Sequence, residues 1–421
     1  MQIISSSQFY GAGLSGMLQQ QTLLGNLSQQ LSTGSSLVNP SAQPVAAAQN
    51  AQLTAQIGQL AGYTQNGSNA QQSLQLESST LQSVGTLLDQ VRQLALQMNN
   101  ATANAQDLQN ASSTMQGYLQ QLVQYANTQD GQGNYVFAGS RNQTQPFALQ
   151  ANGQVSYQGD GGQNQLALGP SLSTAIGDAG SAVFMNIAGG NGSFSVSAAS
   201  GNTGGAALGP GTVSNPSLAQ QVLLVAGTRY HISFSTAASG GGLDYSVSSG
   251  SGAGFAASGV VASGAFTAGM SIGLPPGSSP AVEVPVNGTP AAGDSFTIAA
   301  SPSQSLFATF QSLQQAFSAT AQTSGAAAQR AQAISNALAS LGQAQTTLLG
   351  TQSAIGSRLQ QVQAVQTQNA SLTLQFQTQQ ASISNINYPQ VITQYQQSLT
   401  ALQAAESAFA QVQGLSLFKY I

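Results

Sequence analysis

The spacing of apolar positions divides the chain into helical ends and a different middle. In the N-terminal third Leu14, Met17, Gln21, Leu24, Ser28 and Leu31 recur at alternating steps of three and four. That spacing predicts one stripe of a helix, widened by Leu18 and Leu27. The stripe stops at Thr33-Gly34. Beyond Pro40 and Pro44, residues suited to turns and helix starts, a second helical run carries Leu53, Ile57 and Leu60 on one face. In a third run Leu74, Leu81, Leu88 and Ala95 lie one heptad apart, with Glu77, Val84, Val91 and Met98 as the other seam, which predicts a coiled-coil strand. Asn99 to Asn104 reads as a loop. The helical period resumes with Leu108, Met115 and Leu122 and ends in the turn Asp130-Gly131-Gln132-Gly133.

The C-terminal region repeats the design. A seven-residue series runs from Leu348 through Ile355, Val362, Asn369, Phe376 and Ile383, with Val365, Leu372 and Ile386 alongside. Pro389 interrupts or restarts the helix. Val391, Tyr395, Leu399, Leu402, Phe409 and Val412 then form a last amphipathic stripe, and Leu415, Leu417, Phe418 and Tyr420 make an apolar end. Between the two helical regions Gly, Ser and Thr interrupt short β-prone segments: Phe194 to Val196, Tyr230 to Phe234, Tyr245 to Val247 and Ser295 to Ile298. Alternation within Tyr230 to Phe234 predicts one buried and one wet face.

These patterns predict an α+β fold in which paired N- and C-terminal helices form a coiled-coil bundle with an inserted, outward β-rich domain. Residues 1–40 and 389–421 read as terminal core segments, 41–135 and 305–388 as the coiled-coil domain, and 136–304 as the outer insertion. Amphipathic ends bury their seams against each other or against other subunits. The terminal segments have few local partners, so they are expected to be disordered in the monomer and to fold on assembly. The candidate assembly residues are Leu14, Met17, Leu24, Leu31, Leu399, Leu402, Phe409, Leu417 and Phe418. The candidate seam residues are Leu74, Leu81, Val84, Leu88, Val91, Met98, Ile355, Val362, Asn369, Phe376 and Ile383.

Composition sharpens this reading. Only 4% of the 421 residues are charged, six basic against ten acidic, while 41% are hydrophobic. An exposed ion pair contributes roughly 0 to 1 kcal/mol, whereas a buried Leu or Val contributes about 1.5 to 3, so apolar burial must organise the fold. A net charge of −4 with scattered cations argues against nucleic-acid binding, which needs a clustered basic surface. The absence of cysteine excludes disulfides and thiolate chemistry. Met1 to Tyr10 has no signal-peptide pattern, and no apolar run is long enough to span a bilayer. No membrane insertion is therefore expected, and if the protein leaves the cell it needs a route without a cleaved signal.

Candidate chemistry adds little. His231, the single histidine, has no partner at metal-ligand spacing and reads as a packed or surface residue, so no metal or cofactor is expected. Gly159-Asp160-Gly161-Gly162 lacks the further acids of a calcium loop and reads as a turn. The Asn-X-Ser/Thr triplets follow from composition, and no Gly-X-Ser-X-Gly elbow or carboxylate pair suggests catalysis, so the chain is not expected to be an enzyme. Glu77 reads either as a buried register-setting charge or as a water-facing group at the seam's edge. The second is favoured, because an unpaired buried carboxylate costs several kcal/mol. Asn369 is the better register device, its amide able to pair across the seam.

Several segments together resemble the flagellin and hook-associated protein superfamily. They are Leu31-Ser32-Thr33-Gly34, Pro44-Val45-Ala46-Ala47-Ala48, Val91-Arg92-Gln93-Leu94-Ala95 and Tyr135-Val136-Phe137-Ala138-Gly139. Within the insertion, Gln145-Pro146-Phe147, Tyr157-Gln158-Gly159-Asp160 and Pro290-Ala291-Ala292-Gly293-Asp294-Ser295-Phe296 fit the same family. The ending Ser416-Leu417-Phe418-Lys419-Tyr420-Ile421 is similar to the hook-associated members more than to filament flagellins. The resemblance implies a secreted structural subunit of the bacterial flagellum at the hook-filament junction, serving motility. Self-assembly into a ring, hook-associated protein 1 and flagellin or the filament cap as neighbours, and an export chaperone with the type III export apparatus are implied with it. A filament flagellin and a surface adhesin using the β-rich middle are the alternatives.

The resemblance also exposes departures. Where relatives carry acids, this chain has Ala42-Gln43 before Pro44, Gln93 after Arg92, and Asn385 and Asn387 near the last helix. One reading is adaptation to an acidic medium, because amides do not lose their interactions by protonation; the other is plain glutamine enrichment. A comparison of unfolding midpoints at pH 3 and pH 7 decides between them, since a large loss at pH 3 would exclude the first.

Overall fold

The computed structural model describes residues 6–100, 103–225, 227–237, 240–251, 256–277 and 279–417. Its helices are α1 (Ser6–Thr33), α2 (Pro44–Met98), α3 (Ala105–Ala126), α4 (Pro216–Ala219), α5 (Leu306–Ser318), α6 (Ser324–Ser384) and α7 (Tyr388–Leu417). The second and third sequence runs fuse into α2. Gly62 and Gly67 cost about 1 kcal/mol each inside a helix, too little to break one whose apolar face is buried. Local chemistry sets the other boundaries. Asn104 caps α3 reciprocally with Asp107, accepting from its amide at 2.9 Å while the Asp107 carboxylate accepts from the Asn104 amide at 3.1 Å. Ser305 caps α5 through the Ala308 amide. Buried Arg330 donates to the Ala319 carbonyl at 3.0 Å, placing a cation at the C-terminal end of α5.

The chain forms two compact units. The first comprises the described parts of Met1–Gly67, Leu168–Pro170 and Gln363–Ile421. Here α1 ends because Gly34 adopts φ 69° and returns its amide to the Gln30 carbonyl. The chain then pairs with the segment between α6 and α7, through Ser36 N–H to the Ser384 carbonyl and Ile386 N–H to the Gly34 carbonyl. Tyr388 opens α7, so Pro389 sits in its first turn, where a missing amide is tolerated. In this unit α2 and α6 approach closely. Gln380 donates to Thr54, and a Cβ on Gly67 would meet the Gln366 side chain at 2.9 Å.

The second unit comprises Ser68–Ala167 and Ser171–Val362. Its helical part buries Leu74, Leu81, Val84, Leu88, Val91 and Ala95 of α2, Leu108, Met115 and Leu122 of α3, and Ile355 and Val362 of α6. Its β part is built mainly on two antiparallel sheets, a five-stranded and a four-stranded one, with smaller two-stranded pairs beside them. The larger runs in spatial order Ala256–Ala265, Leu243–Ser251, Thr228–Thr236, Ser295–Ala300 and Phe194–Ala198. The smaller runs Ser271–Leu274, Val282–Asn287 and Ala207–Leu208, with Thr212–Val213 also on its middle strand. Tyr230, Ile232 and Phe234 point inward as their alternation predicts, and join Phe194, Val196, Val284, Val286, Phe296 and Ile298 in one core. Each such side chain contributes about 1.5 to 3 kcal/mol by burial.

One buried acid organises the insertion's loops. The Asp294 carboxylate accepts the backbone amides of Thr203 at 2.8 Å, Gly204 at 3.1 Å and Ala291 at 2.8 Å, while the Asn202 side chain bonds both the amide and the carbonyl of Ser295. The segment Pro290 to Phe296 is thus a structural knot around a carboxylate.

Candidate assembly surface

The first unit places α1 and α7 antiparallel against each other. Tyr10 meets Phe409 edge to face at 5.9 Å between ring centres, and the Gln20 amide donates to the Ser398 carbonyl. Leu24, Leu27, Val391 and Ser398 are buried. Only one face of each helix is satisfied in this way. Leu14 and Leu18 are more than half exposed, at 52% and 55%, and Leu23, Tyr388, Ile392 and Leu399 also face outward. Burying one such leucine is worth about 1.5 to 3 kcal/mol, so these two rows leave apolar surface uncovered within the chain.

The sequence-derived candidates therefore separate. Leu14 and Leu399 are exposed, and Met17, Leu31, Leu402 and Phe409 are half-buried. Leu24 is covered within its own chain and holds the helix pair together. The side chain of Leu417 and all of Phe418 lie outside the described residues. Among the seam candidates Leu74, Leu81, Val84, Leu88, Val91, Met98, Ile355, Val362 and Asn369 are buried, while Phe376 and Ile383 are half-buried. Asn369 donates to the Leu168 carbonyl at 3.1 Å, so it holds the short strand Gln165–Gly169 rather than pairing across the seam.

Glu77 corrects the sequence reading, which favoured a water-facing position. It is fully buried, with its Oε1 accepting the Asp178 amide at 2.9 Å. Burial, followed by the nearby charge of Asp178, pushes its carboxyl up to about 8, so it enters the core neutral and avoids the cost that argued against burial. Asp178 is the acid that a cation holds in this cluster. Arg358 grips it bidentately at 2.9 and 3.1 Å, and hydrogen bonding to Asp178 raises the Arg358 guanidinium further. Charge beyond this triad is sparse. Arg141 approaches Asp160 at 3.9 Å, and that carboxyl is held below its ordinary value by the Ser140 hydroxyl and then by the backbone amides of Ser140 and Gly162. These bonds close the Gly159 to Gly162 turn. Half-buried His231 has Nδ1 3.4 Å from the Thr297 hydroxyl, within the sheet.

At one of these positions an amide caps a helix: the Asn387 side chain accepts from the Gln390 amide in the first turn of α7, while Asn385 pairs with Ser35 through the backbone. No helix of the described residues is long and apolar enough to cross a membrane.

Known proteins match this chain at several levels. Residues 4–142 match the family of the bacterial flagellin N-terminal helical region. Flagellar hook-associated protein 3 of Escherichia coli is 30% identical over 183 residues, and that of Salmonella typhimurium is 31% identical over 184. Each match covers 44% of this chain and 57% of the relative, so the chain spans little more than half the length of these curated relatives. Solved structures extend the likeness. Flagellar hook associated protein-3 from Legionella pneumophila has a TM-score of 0.70 at 30% identity, covering 79% of this chain and 98% of that one. The flagellar junction protein FlgL from the same organism gives 0.67 at 28%, over 81% and 100%. Xanthomonas campestris FlgL gives 0.67 at 26%, over 77% and 98%. With paired terminal helices, a β-rich middle and near-complete coverage of a solved relative at 30% identity, the chain belongs to the flagellar hook-associated protein 3 family.

Proposed function

We propose that the chain is the structural subunit joining the flagellar hook to the filament, polymerising through α1 and α7. The observation that carries this reading is the helix pair whose inner face is closed while Leu14, Leu18, Leu23, Ile392 and Leu399 stay uncovered. A surface of that kind lowers its free energy by meeting further copies. Residues 1–40 and 389–421 form the polymer core and complete their ordering on assembly. Residues 41–135 and 305–388 form the coiled-coil domain, and 136–304 the outer domain. The role is mechanical rather than catalytic, matching one helical lattice to the next.

The relatives are named for the hook and the junction, which favours hook-associated protein 1 on one side and flagellin or the filament cap on the other. Export in an unfolded state through the type III apparatus, with a chaperone on the C-terminal helix, fits a chain that holds no cysteine. A deletion strain tests the assignment. Loss of the junction should release full-length flagellin into the medium from cells that still carry hooks. If the deletion instead leaves hooks with no flagellin exported, the chain is the filament subunit and the reading fails.

A further inference from the structure

The assembly surface makes no use of the buried charge cluster in the second unit. Glu77 on α2 has no exposed surface, and while Oε1 accepts the Asp178 amide, buried Oε2 has no hydrogen-bond partner. The charged groups facing it are Asp178, on the loop that follows the strand Leu172–Ala175, and Arg358 on α6. Arg358 directs both terminal nitrogens to the Asp178 carboxylate, and Gln163 donates to the same carboxylate at 2.7 Å. The cation is thus committed to Asp178. An ionised Glu77 would leave an unsolvated oxygen beside a second carboxylate, and the cluster relieves this only by keeping a proton on Glu77.

What the cluster holds has no slack. Residues 176–180 lead directly into the π-helical turn Ser181–Met185, where Phe184 packs edge to face on Phe137 at 5.1 Å and on Phe147 at 5.5 Å. The Gly180 amide donates to the Phe137 carbonyl, and a Cβ on Gly180 would lie 2.6 Å from the Phe147 ring. Movement of Asp178 therefore reaches the aromatic core within a few residues.

We propose that Glu77 is a proton-held latch: when neutral it pins the 176–180 loop to α2 and, through Asp178 and Arg358, to α6, and loss of its proton loosens that joint. The carboxyl is pushed from its ordinary 4.5 to about 8 by burial and then by Asp178, against the opposing pull of the Asp178 amide and Arg358. The folded state keeps a proton that the unfolded chain releases. The latch's stabilisation is complete below the unfolded value of 4.5 and is lost as pH rises through about 8. Across that window the folding equilibrium constant falls by up to about tenfold per pH unit and then levels off. The chain has one histidine and no cysteine, so few other side chains titrate there.

The test is urea unfolding of the full chain at pH 5, 6, 7, 8 and 9, comparing the unaltered protein with Glu77→Gln. The amide is a neutral isostere. The unaltered chain should weaken steadily from pH 5 to 8, and Glu77→Gln should remove most of that slope. An equal slope in both proteins would overturn the latch. Should Glu77→Gln fail to fold, a carbon-13 NMR titration of the Glu77 carboxyl in the unaltered chain decides: a midpoint near 8 supports the latch, and one near 4.5 overturns it.

Discussion

Replacing Leu402 and Phe409 together by aspartate will abolish junction assembly and leave the second unit folded. Both side chains are half-buried on α7, and Phe409 meets Tyr10 edge to face. Burying an unpaired carboxylate costs several kcal/mol, and here two would have to enter the contact between α1 and α7. The helix pair should open and lose the surface it presents to neighbours. The core around Phe194, Ile232, Phe296 and Val284 belongs to the other unit and takes no part in that contact. Unfolding monitored by near-ultraviolet circular dichroism should therefore retain the transition of the second unit, while electron microscopy of flagella shows no junction and motility is lost. Normal junctions in the double variant would mean that α7 does not carry assembly.

Asp294→Ala should destabilise the insertion by about 3 to 5 kcal/mol, read from the urea midpoint at pH 7. The carboxylate accepts the part-buried amides of Thr203 and Ala291 and the buried amide of Gly204, and alanine removes that shared acceptor, leaving the Gly204 amide unsatisfied away from water. Hydrogen bonds to a charged group contribute roughly 1.5 to 3 kcal/mol each, although loops relax and not every bond is lost in full. Asp294→Asn retains one acceptor oxygen and should fall between the two. A loss below about 1 kcal/mol in the alanine variant would show that water replaces the carboxylate without difficulty.

Helix burial was the most legible feature of the sequence, because a heptad is a local signal and its outcome is local. Leu74, Leu81 and Leu88 are buried at their expected spacing, and Tyr230, Ile232 and Phe234 alternate inward. Features set by distant partners were not legible. Glu77 looked too costly to bury because its partner Asp178 lies about a hundred residues away, and nothing near it in sequence announces a loop amide or a raised carboxyl. Asp294 likewise stands out only once Thr203 and Gly204 are beside it. Helix α5, short and adjacent to a strand, offers little more than Leu306, Phe310, Leu313 and Phe317 as a stripe, and its capping serine resembles many others in a serine-rich chain.

The assembly face was legible in part. Spacing puts Leu14 and Leu24 on one stripe, but it does not say that Leu24 is buried within the chain while Leu14 stays exposed. A stripe is wide enough to serve two neighbours, and only the packed helix pair divides it between them. The same limit applied to Asn369, whose seam position was readable and whose partner, the Leu168 carbonyl, was not.

The account rests on α1 and α7 being closed by further copies where hook meets filament. Immunogold imaging of tagged chain on intact flagella tests this most directly. A single narrow band at the hook boundary is the predicted result; gold distributed along the filament, or absent from the flagellum, would contradict it.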